Sequence, residues 1–313
     1  MASKFPSSYG RSVPTYGLST PQINIALQEM GYSPIIYDFS IYNDQERWLL
    51  RPEEIIYRYI ESGLPVILGI KTRRGGHAVV VCGHSFAPDL WWPLVREPYY
   101  GPIRQKGYEG SFAWVENFII HDDNLSPYLF MPKEFIGSAI ICIIVALPRG
   151  VFMRAEEAES YSFAKIMERN IVGTLKSNLN ILENSEEFEG FWLKEFLHHL
   201  DRKKLILRTF LSKKEHLLQQ IQNVKNPYVR IYEKIELPSY LWITEVSFPE
   251  IFCQQRLRCG EIIVDSTADP KTEDCFLAVH LPSLLITREP NKKDEITVYS
   301  PLADDSPYEH LCR

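Results

Sequence analysis

Two stretches hold the residues best suited to chemistry. They are Gly75-Gly76-His77-Ala78-Val79-Val80-Val81-Cys82-Gly83-His84 and Phe118-Ile119-Ile120-His121-Asp122-Asp123-Asn124. Each is a short apolar run with a polar group at one end, the pattern of a buried strand carrying a reactive side chain at its mouth. A histidine starting one strand and an aspartate ending the next can face each other. The carboxylate then holds the imidazole in one tautomer, as a general base requires.

The nucleophile is harder to find. Cys82 lies five residues from His77 on the same strand, and an odd separation puts the two on opposite faces. Cys142 sits inside an apolar run, where a thiol reads as buried and inert. Nothing around Ser7, Ser8 or Ser12 suggests activation. A metal reading would draw on His77, His84, His121, Asp122 and Asp123. His77 and His84 again differ by an odd number, and no HExxH or compact ligand motif is present. No metal and no cofactor is therefore expected.

The elements that must position these groups can be read in order. Residues 1–16 form an extended arm. Thr20 as N-cap and Pro21 as first residue open a helix whose apolar face is Ile23, Ile25, Ala26, Leu27 and Met30, with Gly31 as its stop. Residues 34–37 read as a strand. A second helix runs over 52–62, with Ile55, Ile56, Tyr59 and Ile60 as its stripe and Gly63 as its end. A strand at 64–70 and a turn at 71–76 lead into the His77 strand. Residues 85–116 form a long insertion rich in Trp91, Trp92, Tyr99, Tyr100, Tyr108 and Trp114, readable as a lid or binding surface or as a loop pinned by its own aromatics. Ser126-Pro127-Tyr128 reads as a turn. Residues 138–147 read as a central strand, and Pro148-Arg149-Gly150 as a boundary. The expected domains are 1–149 and 150–313.

The second half is helical over 151–200, then β-rich. Strands are expected at 205–211, 228–237, 241–248, 261–265, 276–281 and 295–299, with a helical interruption at 213–222. This predicts a mixed or barrel-like β unit packed on helices. Glu261 and Asp265 share a strand at a spacing of four, hence one face. The structural reading is preferred, with Asp265 capping a turn and Glu261 facing solvent. Arg208, Glu245 and Asp265 are possible partners in a polar pocket.

Composition sets the class. The 313 residues suggest two domains, and 45% hydrophobic with 24% charged residues is an ordinary globular balance. A net charge of −6 without a basic stripe argues against nucleic acid. The polar N-terminus has no apolar core of a signal peptide, and no run is long enough to span a membrane. Six scattered cysteines without CxxC pairs suggest reduced thiols and a cytoplasmic protein.

Thr20-Pro21-Gln22-Ile23 to Gly31, Gly63-Leu64-Pro65-Val66-Ile67, Gly76-His77-Ala78-Val79-Val80 and the aspartate of Ile120-His121-Asp122 occur in an order that resembles papain-like cysteine peptidases, in particular the bacterial, bacteriocin-processing (C39-like) branch. The resemblance covers about Leu18 to Leu147, and Gly-His-Ala-Val followed by strand-Asp is its most specific part. It implies a papain-like domain over that stretch; with the helical and mixed or barrel-like β region read from the pattern of the second half, the expected fold class is α+β. It implies hydrolysis of a peptide or amide bond, with His77 as base, Asp122 as its orienter and Asp123 as substitute. In that family the nucleophilic cysteine starts a helix upstream of the segment matching Leu18 to Gly31. Here seventeen residues precede Leu18 and none is cysteine. The expectation is a cysteine-peptidase-like protein with its nucleophile unassigned. The alternative is a non-catalytic protein that holds a peptide or protein partner on a degenerate peptidase fold.

Overall fold

The structure is a computed structural model that describes residues 18–42, 51–72, 75–86, 107–184, 190–223, 228–271, 274–289, 292–302 and 307–309. The expected arm at 1–16, the serines at 7, 8 and 12, and Trp91, Trp92, Tyr99 and Tyr100 lie outside the described residues. The fold is α+β, in two compact units. One comprises Met1–His84 with Asn117–Val151, the other Ser85–Glu116 with Phe152–Arg313.

The first unit begins with helix α1 (Thr20–Glu29). Its N-cap is Ser19 rather than the expected Thr20, because Gln22 returns its side-chain oxygen to the Ser19 amide at 2.9 Å and to the Ser19 hydroxyl at 3.0 Å. Strand β1 (Ser33–Asp38) follows, then helix α2 (Pro52–Glu61). Of the predicted stripe Ile55, Ile56 and Tyr59 are buried and Ile60 is half-buried, Tyr57 and Arg58 are buried beside them, and Gly63 ends the helix at φ 69°. Strands β2 (Val66–Thr72) and β3 (Gly75–Phe86) form a hairpin. The chain then leaves this unit, makes β4 (Tyr108–Gly110) and a 3-10 turn (Ser111–Trp114), and returns along β5 (Val115–Asp122).

Strand β6 (Ser126–Pro132), helix α3 (Lys133–Ala139) and strand β7 (Ile140–Leu147) complete the unit. The sheet order is β1-β7-β2-β3-β5-β6. The apolar strand β7 is interior, as its composition predicts, although its first expected residues belong to α3. Ser126 pairs with Asp122 and Leu129 with Ile120, so the expected turn at 126–128 lies within β6 as an irregularity in the pairing, with Tyr128 at φ 61°.

The second unit carries helices α4 (Ala155–Ile166), α5 (Arg169–Glu183) and α6 (Phe191–Asp201), then strand β8 (Leu205–Lys213) and helix α7 (Lys214–Asn223). A one-turn helix α8 (Val229–Tyr232) stands where a strand was expected over 228–237. Its Tyr232, with Ile235 and Leu237 beyond it, reaches the core from a short turn. Strand β9 (Tyr240–Ser247), helix α9 (Pro249–Gln255) and strands β10 (Leu257–Arg258), β11 (Gly260–Asp265), β12 (Phe276–Leu281), β13 (Leu284–Glu289), β14 (Lys292–Tyr299) and β15 (Tyr308–Glu309) complete it.

Seven strands form one sheet in the order β14-β13-β12-β11-β9-β8-β4, and β10 pairs with β15. The sheet is mixed, since β4 runs parallel to β8 while the other pairs are antiparallel. No barrel closes: β14 and β4 are its two ends among the described residues. Phe210, Ile243, Ile263, Ala278 and Leu285 form a core with Leu217 and Ile221 of α7.

The first unit ends at Val151, and residues 85–116, expected within 1–149, group with the second unit. The cause is β4, whose Tyr108–Gly110 pairs with Leu205–Leu207, and Trp114, which packs on Ile206 and Phe252. A three-residue strand inside a long loop leaves no periodic signal. Among the described residues no helix is long and apolar enough to cross a membrane.

One carboxyl near the start of α2 is set against its own ionisation. Burial pushes Glu53 up to about 7. The folded state therefore binds a proton more readily than the unfolded chain. Stability should fall as pH rises from about 4.5 to 7 and level off above. Glu53→Gln should flatten that slope and leave the chain more stable than wild type at pH 8, as read by thermal melts across this range.

Candidate functional site

His77 is the third residue of β3 and pairs with Ile70. Gly75, at φ 126°, turns the chain into the strand in a conformation that side chains rarely adopt, and the Thr72 hydroxyl donates to its carbonyl at 2.7 Å. Asp122 ends the neighbouring strand β5. The strand order therefore brings the two together, with His77 Nε2 lying 3.0 Å from Asp122 Oδ1. Asp122 is buried, while the His77 side chain keeps 23% of its surface exposed.

The aspartate is held as an anion. Burial pushes its carboxyl up, but the Asn124 amide at 2.9 Å, the His77 ring and the Leu125 amide more than offset this and leave it below the ordinary range. An ionised carboxylate only accepts, so Nε2 is the donor of the pair, and the tautomer this selects has its lone pair on Nδ1. The Asn124 amide nitrogen lies 3.4 Å from each ring nitrogen. Asp123 Oδ1 is 4.0 Å from Nε2, on a side chain 78% exposed. A base with a fixed tautomer and an open rim is the chemistry this arrangement offers.

A nucleophile is not among the contacts. Within the described residues, the polar partners of His77 are Asp122, Asp123 and Asn124. Cys82 is exposed and its thiol points to the Ile119 carbonyl at 3.5 Å. Cys142 is buried opposite Gly69, its sulfur 3.8 Å from the Thr20 hydroxyl. Gly69 and Ile70 alternate across β2, so Cys142 and His77 occupy opposite faces of the sheet. A side chain at position 69 would place its Cβ 2.7 Å from that sulfur, so glycine is what makes room for it. His84 pairs with Glu61, and His121 is exposed.

The second unit holds a polar cluster that sequence reasoning largely missed. Glu261 is fully buried, not solvent-facing. Antiparallel register aligns Arg208 with Glu245, Glu245 with Glu261, and Glu261 with His280, a transverse row across four strands. Two carboxylates directly opposite each other repel. The fully buried Arg258 resolves this: Nη1 bonds Glu261, Nε lies 3.6 Å from Glu245 and donates to the Glu309 carbonyl at 3.0 Å. Arg208 closes the row on Glu245 at 2.9 Å.

Tyr232 also donates to Glu261, and His280 Nδ1 lies 3.2 Å from it. Burial alone pushes Glu261 up, yet Arg258 and His280 pull it down to about 2. Asp265 stands apart, capping a turn through the Thr267 amide and hydroxyl at 2.8 and 2.7 Å. The available signal was an ionisable residue within each apolar strand run, at positions 208, 245, 261 and 280. Arg258→Met should leave Glu261 buried without its guanidinium, and Glu245 with Arg208 alone, and cost about 3–5 kcal/mol in chemical denaturation. A loss below about 1 kcal/mol would show that water reaches the pair.

No protein-family model, no curated protein and no solved structure matches this chain.

Proposed function

We propose that the first unit carries a papain-like, peptidase-type site acting on a peptide or amide bond. The observation behind this reading is the 3.0 Å contact between His77 Nε2 and the buried Asp122, which leaves the Nδ1 lone pair to work as base. In the reaction, Nδ1 takes the proton of the nucleophile as it attacks the carbonyl carbon. It then returns the proton to the leaving amine. Asp122 stabilises the imidazolium in between. The nucleophile comes from outside the described residues, since neither Cys82 nor Cys142 reaches the ring.

The same absence supports a second reading, a peptide-binding protein built on this fold. Tyr128 and Phe130 on β6, beside the strand that carries Asp122, are exposed and offer apolar contact for such a partner.

The test uses the full chain and a fluorogenic peptide mixture. Turnover by the wild type should drop about 10²–10⁴-fold in His77→Ala, the usual worth of a general acid–base. Cys82→Ala should turn over at the wild-type rate. Peptides bound but never cleaved, with binding unchanged in His77→Ala, would replace the enzyme reading with the second one.

A further inference from the structure

The turn after β5 does more than orient an imidazole. Of the five residues that could have supplied a His/carboxylate metal site, His77, Asp122 and Asp123 converge, with one ligand atom from each lying within 4.8 Å of the other two. We infer that these three residues form a binding site for a first-row divalent transition ion of the zinc type, and that the bound ion switches the base off.

The donor set fits. Imidazole and carboxylate together suit zinc and its neighbours in the series. His77 Nε2 and Asp122 Oδ1, 3.0 Å apart, would both be reached by an ion at about 2.1 Å, subtending about 90°. A small turn of the ring, aiming the Nε2 lone pair at the ion instead of at Oδ1, would set them in adjacent coordination positions. Asp123 Oδ1 is 4.0 Å from Nε2, and its exposed side chain can turn inward as third ligand without disturbing packing. The remaining positions stay open to water at the rim. Two aspartates at the rim also concentrate negative charge where the ion would sit.

Binding requires a proton to move, and the site has a place for it. Nε2 loses its hydrogen to become a ligand, and the ring takes a proton at Nδ1. The ion thus replaces that hydrogen at Nε2, and the neutral ring changes tautomer with no net proton released. Asn124, its amide 3.4 Å from Nδ1, accepts the new N–H once its oxygen is turned inward. In that state neither ring nitrogen has a lone pair available to a nucleophile. The loss of the base rests on the proposed role of His77; the binding of the ion does not.

The experiment is zinc titration of the full chain by calorimetry, with histidine nitrogen NMR on the same samples. One ion should bind per chain, roughly tenfold or more weakly in Asp123→Asn and without detectable heat in His77→Ala. The His77 proton should move from Nε2 to Nδ1 on loading. Asp123 is exposed, so its variant should remain folded, and circular dichroism checks this. Equal zinc binding by wild type, Asp123→Asn and His77→Ala, or none by wild type, would overturn the site. His77-dependent peptide turnover without zinc binding sinks the metal site and keeps the base. Zinc bound through His77 with turnover indifferent to both zinc and His77→Ala sinks the base and keeps the metal site.

Discussion

The charge on Asp122 governs the first unit's chemistry. Burying a carboxylate is unfavourable unless its oxygens are satisfied. Here they are satisfied by the first residues of the turn that follows and by the ring on the adjacent strand. The turn and the dyad are therefore one construction: the backbone that reverses after β5 is also what keeps the aspartate ionised. An ionised Asp122 in turn decides which ring nitrogen carries the proton. Strand order, turn geometry and tautomer are successive links of a single chain of cause.

The second unit solves a harder version of the same problem. Register sets two glutamates side by side in a sheet buried on both faces, and a guanidinium from β10 separates them. Such a cluster is weak evidence for stability, because desolvating so many charges offsets much of their attraction. Its clearer effect is on registry. A slip of β9 against β11 by one residue would bury Thr244 or Val246 opposite Glu261 and leave a carboxylate without its cation. The ionic row thus marks one alignment of apolar strands that would otherwise pair in several.

Local patterns made part of this legible. The helix at 52–61 was visible through its apolar stripe and terminal glycine, and β7 through its unbroken hydrophobic run. His77 and Asp122 stood out because each is a polar group at the end of such a run, and the sheet places those ends side by side. The N-cap shift from Thr20 to Ser19 needed Gln22 to be read together with the cap. What stayed hidden depends on pairing between distant segments. Glu261 looks like any exposed strand residue until β9, β12 and Arg258 are placed around it. The three residues of β4 have no period to detect, and α8 carries the β-like alternation of a strand although it is a helical turn.

That small β4 strand changes how the chain can be divided. Tyr108–Gly110 and Trp114 lie in sequence between two stretches of the first unit, yet they give the second unit an edge strand and part of its core. The path is continuous for the first unit only in space, not along the chain. A fragment cut at the Pro148-Arg149-Gly150 boundary would keep β4 and lose β8, the strand it lies against, while the remaining fragment would expose the flank of β8 and an unfilled socket at Phe252. A cut at that boundary therefore divides the second unit as well as separating it from the first.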